Sequence, residues 1–91
     1  MNLDELFTII QDRKKKMPKD SYVASLFKKG DDRIIQKVGE EATEVVIAAK
    51  NIDRNRIIEE IADLWFHCLV LLSQKGISPN EIFQELDRRR K

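Results

Sequence analysis

Two pairs of carboxylates, Glu41 with Glu44 and Glu60 with Asp63, are the residues of this chain best placed to do chemistry. Within each pair the residues are three apart, so on a helix they project from neighbouring positions on one face. Like charges at that spacing repel and destabilise the helix that carries them. The first pair lies in Lys37-Val38-Gly39-Glu40-Glu41-Ala42-Thr43-Glu44, and the second interrupts the most apolar part of the sequence. Four carboxylates aimed at one another from two helices form a hard, oxygen-rich site suited to Mg²⁺ or Mn²⁺. Burying an unpaired carboxylate is costly, so such groups need a metal, cations or protonation. Arg33, Lys37 and Arg56 could supply the cations. An internal salt-bridge layer and an incidental acidic face therefore stand beside the metal site as readings of the same spacing.

The elements that must position these groups read as helices throughout. A first helix is expected over 3–16, with Leu3, Leu6, Phe7 and Ile10 at helical spacing, Asn2 as N-cap and Met17-Pro18 as its break. Residues 17–30 form a connection too apolar to be free, with room for a short helical turn. A second helix runs from about 32 to 50 behind an Asp31 cap. Ile34, Ile35, Val38, Ala42, Val45, Val46 and Ala49 fill one face, and Arg33, Lys37, Glu40, Glu41 and Glu44 fill the opposite one. Gly39 costs about 1 kcal/mol against Ala inside a helix; it marks either a close approach to the backbone or a tolerated glycine.

Residues 51–55 form a short loop with Asp53 as a cap. A third helix, over about 54–74, is apolar nearly all round and so central. Arg56, Glu60, Asp63 and His67 make one narrow polar stripe along it. Gly76 closes that helix, and Ser78-Pro79-Asn80-Glu81 opens a fourth, packed through Ile82, Phe83 and Leu86. Helices joined by so short a loop are antiparallel neighbours, which brings the two acidic pairs to matching heights. The expectation is an all-α chain of four helices, a single domain over 1–91, forming a helical bundle completed by dimerisation.

At 91 residues the chain is small for a self-sufficient core. A net charge of +1 gives no electrostatic case for nucleic acid or an anionic membrane. Met1 is followed by Asn2-Leu3-Asp4-Glu5 rather than by a basic and then apolar segment, so no signal peptide is expected and the cytoplasm is the expected location. The single Cys68 excludes an internal disulfide and sits among apolar neighbours as a small hydrophobe. His67 reads as packed or hydrogen-bonded rather than as a ligand, and Tyr22 and Trp65 read as core. An oxygen-only donor set points away from structural zinc, and the Glu-x-x-His repeats of di-iron bundles are missing. Mg²⁺ held by carboxylates suits phosphate chemistry. With no Gly-rich phosphate loop, metals and side chains would hold the phosphates, Lys28, Lys29, Arg33, Lys37 and Lys50 being available.

The residues also resemble a known family. Ser21-Tyr22-Val23-Ala24-Ser25-Leu26-Phe27, the run from Gln36 to Lys50, and Glu59-Glu60-Ile61-Ala62-Asp63-Leu64-Trp65-Phe66-His67 closely resemble the phosphoribosyl-ATP pyrophosphohydrolases of histidine biosynthesis. The likeness covers nearly the whole chain. The acidic pattern alone is shared by the wider all-α NTP pyrophosphohydrolase superfamily; the segments from Ser21 to Phe27 and from Lys37 to Glu44 narrow it. The resemblance implies hydrolysis of the α–β phosphoanhydride of phosphoribosyl-ATP to phosphoribosyl-AMP and pyrophosphate, with Mg²⁺ and a homodimer whose helices pool into one bundle. By position it implies Glu41, Glu44, Glu60 and Asp63 as metal ligands and Glu40, beside Glu41, as the group handling the attacking water. It makes Lys28, Lys29, Lys37, Lys50 and Asn51 candidates for the phosphates and ribose. A house-cleaning (d)NTP pyrophosphohydrolase of the same superfamily and a non-catalytic helical dimer are the alternatives.

Overall fold

The computed structural model describes residues 1–90. Five helices follow one another: α1 (Leu3–Lys16), α2 (Tyr22–Lys29), α3 (Asp31–Asn51), α4 (Arg54–Lys75) and α5 (Pro79–Arg88). No strand occurs among the described residues. The all-α expectation is met, with one helix more than expected. The apolar connection is itself the helix α2, because Ser21 caps it by accepting from the Ala24 N–H and Val23, Ala24 and Leu26 bury one side of it.

Local chemistry explains most boundaries. Asn2 accepts from the Glu5 N–H at the start of α1, and α1 stops at Lys16, before Met17-Pro18. The Asp53 carboxylate accepts from Asn55 and Arg56 N–H groups and starts α4. Gly76, at φ 69°, ends α4 in the left-handed region, its N–H donating to Leu72 and Ser73 carbonyls. The Glu81 carboxylate reaches back to accept from the Ser78 N–H at 2.8 Å, with Pro79 in the first turn of α5. One expected cap is corrected. Asp31 lies inside α3 and gives no cap; Gly30 precedes the helix. The Asp31 carboxylate instead takes Lys75 at 2.6 Å and Gln74 at 2.8 Å, tying the start of α3 to the end of α4.

That tie reports the antiparallel hairpin of α3 and α4, the dominant packing of the chain. Helix α1 lies on α4, α2 bridges α1 and α3, and α5 touches α1. The core is small: Ile10, Val23, Leu26, Ile34, Leu69 and Val70, flanked by partly buried Phe7, Phe27 and Phe66.

Two expected burial patterns are corrected. On α3, the face turned inward carries Ile34, Glu41 and Ala48, seven residues apart, so Glu41 lies on the packed side rather than opposite it. Ile35 and Val46, expected inside, are exposed. On α4, Glu60 and His67 are buried while Ile58 and Trp65 are open to solvent. The apolar arcs of both helices are wider than one neighbour can cover. The outer stripe of α3, Ile35-Gly39-Ala42-Val46-Ala49, repeats with 4-3-4-3 spacing, the pattern of a helix–helix seam. No atom outside the helix backbone comes within 4 Å of a Cβ built on Gly39, so no close approach occurs there within the chain. The radius of gyration is 14.2 Å, against about 12 Å for a compact domain of this length. The accessible surface is 6710 Å², against about 5500 Å² for a folded monomer of this mass.

The two-residue link Ile52-Asp53 between α3 and α4 is shorter than expected, and it stores strain. Ile52 has φ 58° and ψ 33°, a left-handed conformation that a β-branched residue rarely adopts. It is 85% exposed, so it packs little in return. Ile52→Gly is expected to stabilise the chain by about 1 kcal/mol, seen as a rise of about 5 °C in the melting temperature by circular dichroism. A fall would contradict the strain assignment.

Candidate metal centre

The site lies on the seam between α3 and α4. Oxygen atoms of Glu41, Glu60 and Asp63 lie within 4.8 Å of one another. Glu41 comes from the inward face of α3, and Glu60 and Asp63 from successive turns of α4, as an antiparallel hairpin with so short a link requires. The side chains of Glu41 and Glu60 are 12% and 9% exposed, while Asp63 faces solvent. The site is thus floored by protein and open on one side.

Cations of the chain stand against the two covered carboxylates. The Lys37 ammonium is 3.1 Å from Glu41, and the Arg56 guanidinium is 3.0 Å from Glu60. The Lys37 amine is held charged above the usual lysine range, chiefly by its hydrogen bond to Glu41; burial opposes this, and the negative charges of Glu41 and Glu40 add to it. The salt-bridge reading of the sequence is therefore realised, on the same residues as the metal reading. The two are compatible, since a cation and an ion-pair partner compete for one oxygen. Two oxygens on a single Mg²⁺ stand at most about 4.2 Å apart, twice the Mg–O distance. The trio's 4.8 Å spread lies near that limit, and the all-oxygen donor set suits a hard ion.

Other expected residues fall around this centre unequally. Glu40 lies at the exposed rim, 3.5 Å from Arg33 and 3.9 Å from Lys37. Glu44, half-buried and one turn beyond Glu41, is not in the converging trio. Lys28 and Lys29 are exposed in the last turn of α2, and Lys50 and Asn51 are exposed at the end of α3. None of these four forms an ion pair or side-chain hydrogen bond among the described residues, so of the expected lysines only Lys37 engages the trio, alongside Arg56.

His67 is hydrogen-bonded, as expected, and buried one turn beyond Asp63. Its Nδ1 is 2.7 Å from the Asp63 carbonyl oxygen, and its Nε2 is 2.9 Å from the Tyr22 hydroxyl. Tyr22 and Trp65 are not core residues; they are 49% and 56% exposed. Sequence reasoning missed the Tyr22–His67 pair, because the two positions are 45 apart in the chain and no local pattern links them. Cys68 is half-buried, and burial pushes its thiol above the usual range, so it is no nucleophile. No helix is long and apolar enough to cross a membrane among the described residues.

The fold and this centre define an all-α protein whose helical hairpin gathers carboxylates into an acidic site competent for a hard cation. Comparison with known proteins makes this specific. Residues 3–90 match the family model described as phosphoribosyl-ATP pyrophosphohydrolase. A Methylococcus capsulatus protein named phosphoribosyl-ATP pyrophosphatase is 53% identical over 87 residues, covering 96% of this chain and 83% of its own length. Proteins of the same name from Burkholderia vietnamiensis and Burkholderia multivorans are 50% and 51% identical, over 92% and 89% of this chain and 73% and 70% of their own lengths. The chain belongs to the phosphoribosyl-ATP pyrophosphohydrolase family, and it is a hydrolase of that kind.

Mg²⁺ or Mn²⁺ is expected to raise the melting temperature with the logarithmic concentration dependence of a ligand that binds only the folded state. Asp63→Asn, at an exposed position, is expected to leave the fold intact and abolish that rise in a calorimetric titration. An undiminished rise in the variant would remove Asp63 from the metal site.

Proposed function

We propose that the chain catalyses the Mg²⁺-dependent hydrolysis of phosphoribosyl-ATP to phosphoribosyl-AMP and pyrophosphate, the second step of histidine biosynthesis, in the cytoplasm. The observation that carries this reading is the convergence of Glu41, Glu60 and Asp63 from two helices, with Lys37 seated against Glu41. The family match supports the substrate.

Bound Mg²⁺ supplies charge neutralisation at the phosphate oxygens and lowers the cost of deprotonating water. The residues of the chain do the rest. Glu41, Glu60 and Asp63 provide the oxygens that hold the cation, and Glu44 joins them from the next turn of α3. The Lys37 ammonium, seated against Glu41, would hold a phosphate oxygen where that carboxylate is engaged by a cation. Lys28, Lys29, Lys50 and Asn51, all exposed, hold the outer phosphates and the ribose. The attacking water forms its bond to the α-phosphorus as the bridging P–O bond to pyrophosphate breaks. Glu40, beside Glu41 at the open rim, takes the proton of that water. Glu41 both binds the cation and helps place the water.

The active species is a homodimer. The outer stripe of α3, the exposed Ile58 and Trp65 of α4 and the surplus surface support it. Val46→Asp, on that stripe and away from the acidic trio, is expected to yield monomer in sedimentation velocity; an unchanged dimer would move the interface elsewhere.

A substrate panel tests the reaction. Pyrophosphate release from phosphoribosyl-ATP is expected, with dNTPs turned over at least tenfold more slowly. Preference for dNTPs would assign the chain to house-cleaning. Glu44→Gln and Asp63→Asn are each expected to lower kcat by roughly 100-fold or more, the scale of removing one group that stabilises developing charge. Full turnover in both variants would overturn the carboxylate mechanism, while no turnover by the unaltered chain would favour a non-catalytic dimer.

A further inference from the structure

Tyr22 stands at the edge of the carboxylate site with its ring fixed on two sides. Its hydroxyl is 2.9 Å from His67 Nε2. The other ring nitrogen of His67, Nδ1, faces the Asp63 carbonyl at 2.7 Å, and a carbonyl oxygen only accepts. Nδ1 therefore carries a hydrogen, and in the neutral ring Nε2 is the acceptor to which the Tyr22 O–H donates. Beneath Tyr22 lies Phe66, near-parallel at 25° with ring centroids 6.2 Å apart. His67 meets Tyr22 edge-on at 5.7 Å and Phe66 edge-on at 5.0 Å. One face of the tyrosine is thus backed by Phe66 and its hydroxyl is tied, yet the residue remains 49% exposed. A residue held for packing alone would bury that second face.

The location gives the open face a use. His67 is anchored to the backbone of Asp63, one turn away, so the chain of hydrogen bonds Tyr22–His67–Asp63 fixes the ring beside the helical turn that carries a carboxylate of the trio. A nucleotide with its phosphates at the trio would extend its nucleoside along α4 toward that ring. We propose that the open face of Tyr22 is a stacking platform for the adenine ring of the nucleotide, held rigid by His67 and Phe66. The platform determines which base the site accepts, and it rests on the proposed nucleotide reaction for its ligand. Rigidity matters because an aromatic ring that is already fixed loses little freedom when a base is laid on it.

Two measurements test this. Tyr22 is the chain's only tyrosine, so ¹³C labelling of its ring yields one set of resonances. Titration with ATP in Mg²⁺ is expected to move them upfield, as a stacked purine does. No movement once the nucleotide-dependent rise in melting temperature has saturated would overturn the platform, whatever reaction the protein performs. In steady-state kinetics on phosphoribosyl-ATP, Tyr22→Leu is expected to raise KM about tenfold, the lower part of the range for one base on one aromatic ring. Its kcat should change little. Tyr22→Phe keeps the ring and is expected to raise KM less than threefold. An unchanged KM in Tyr22→Leu, or a loss confined to kcat with a lowered melting temperature, would show a merely structural ring. Loss of dimer in Tyr22→Leu with KM intact would show that a second copy covers the face. An unaltered chain that leaves phosphoribosyl-ATP intact would instead defeat the reaction assignment.

Discussion

The antiparallel seam between α3 and α4 carries charge where a hairpin of this kind normally carries aliphatic groups. Between Ile34 and Ala48, each seven residues away and buried, stands Glu41; opposite it stands Glu60, also buried. Two covered carboxylates cannot both stay unpaired in such a place. Lys37 and Arg56 answer this within the chain, each from one turn away on the same helix as its partner. Each pairing neutralises its acid within one helix, and a cation placed on these oxygens would exchange with the ammonium or guanidinium.

The rest of the molecule is arranged around that exchange. The ring cluster of Tyr22, Phe66 and His67 ties α2 to α4 one turn beyond Asp63. The Asp31 ties to Gln74 and Lys75 hold the far end of the seam. The small core formed by α1, α2, α3 and α4 supports these ties without covering the outer faces of α3 and α4. An apolar stripe is left open on the helix that supplies Glu41, so a partner packed there would bear on the position of α3.

Much of this was legible along the chain. Helices α1, α4 and α5 followed from local signals: Asn2, Asp53, Gly76 and the Ser78-Pro79-Asn80-Glu81 turn are each read within one helical turn. The convergence of Glu41, Glu60 and Asp63 followed from spacing and a short link. Less legible was which edge of a wide apolar arc turns inward. On α3 the sequence put Ile34, Ile35, Val46 and Ala49 on one buried face, yet of these only Ile34 is buried, along with Ala48, because α4 covers one edge of the arc and takes Glu41 with it. Helix α2 was hidden because a helix of eight residues is too short for a clear period.

By itself the sequence determined what depends on neighbours along the chain: helical periodicity, caps, the antiparallel hairpin and the acidic spacing that marks the family. The tertiary structure decided what depends on neighbours across it. Lys37 and Arg56 pair with Glu41 and Glu60 one turn along their own helices, but only packing showed that those two carboxylates are covered and face each other. Only packing showed that Glu44 stands outside the trio and that Tyr22 meets His67 across 45 residues. The physical reason is that a one-residue rotation of a helix, about 100°, exchanges its buried edge for its exposed one. Local propensity is indifferent to that rotation, and only the competition among packed faces fixes it.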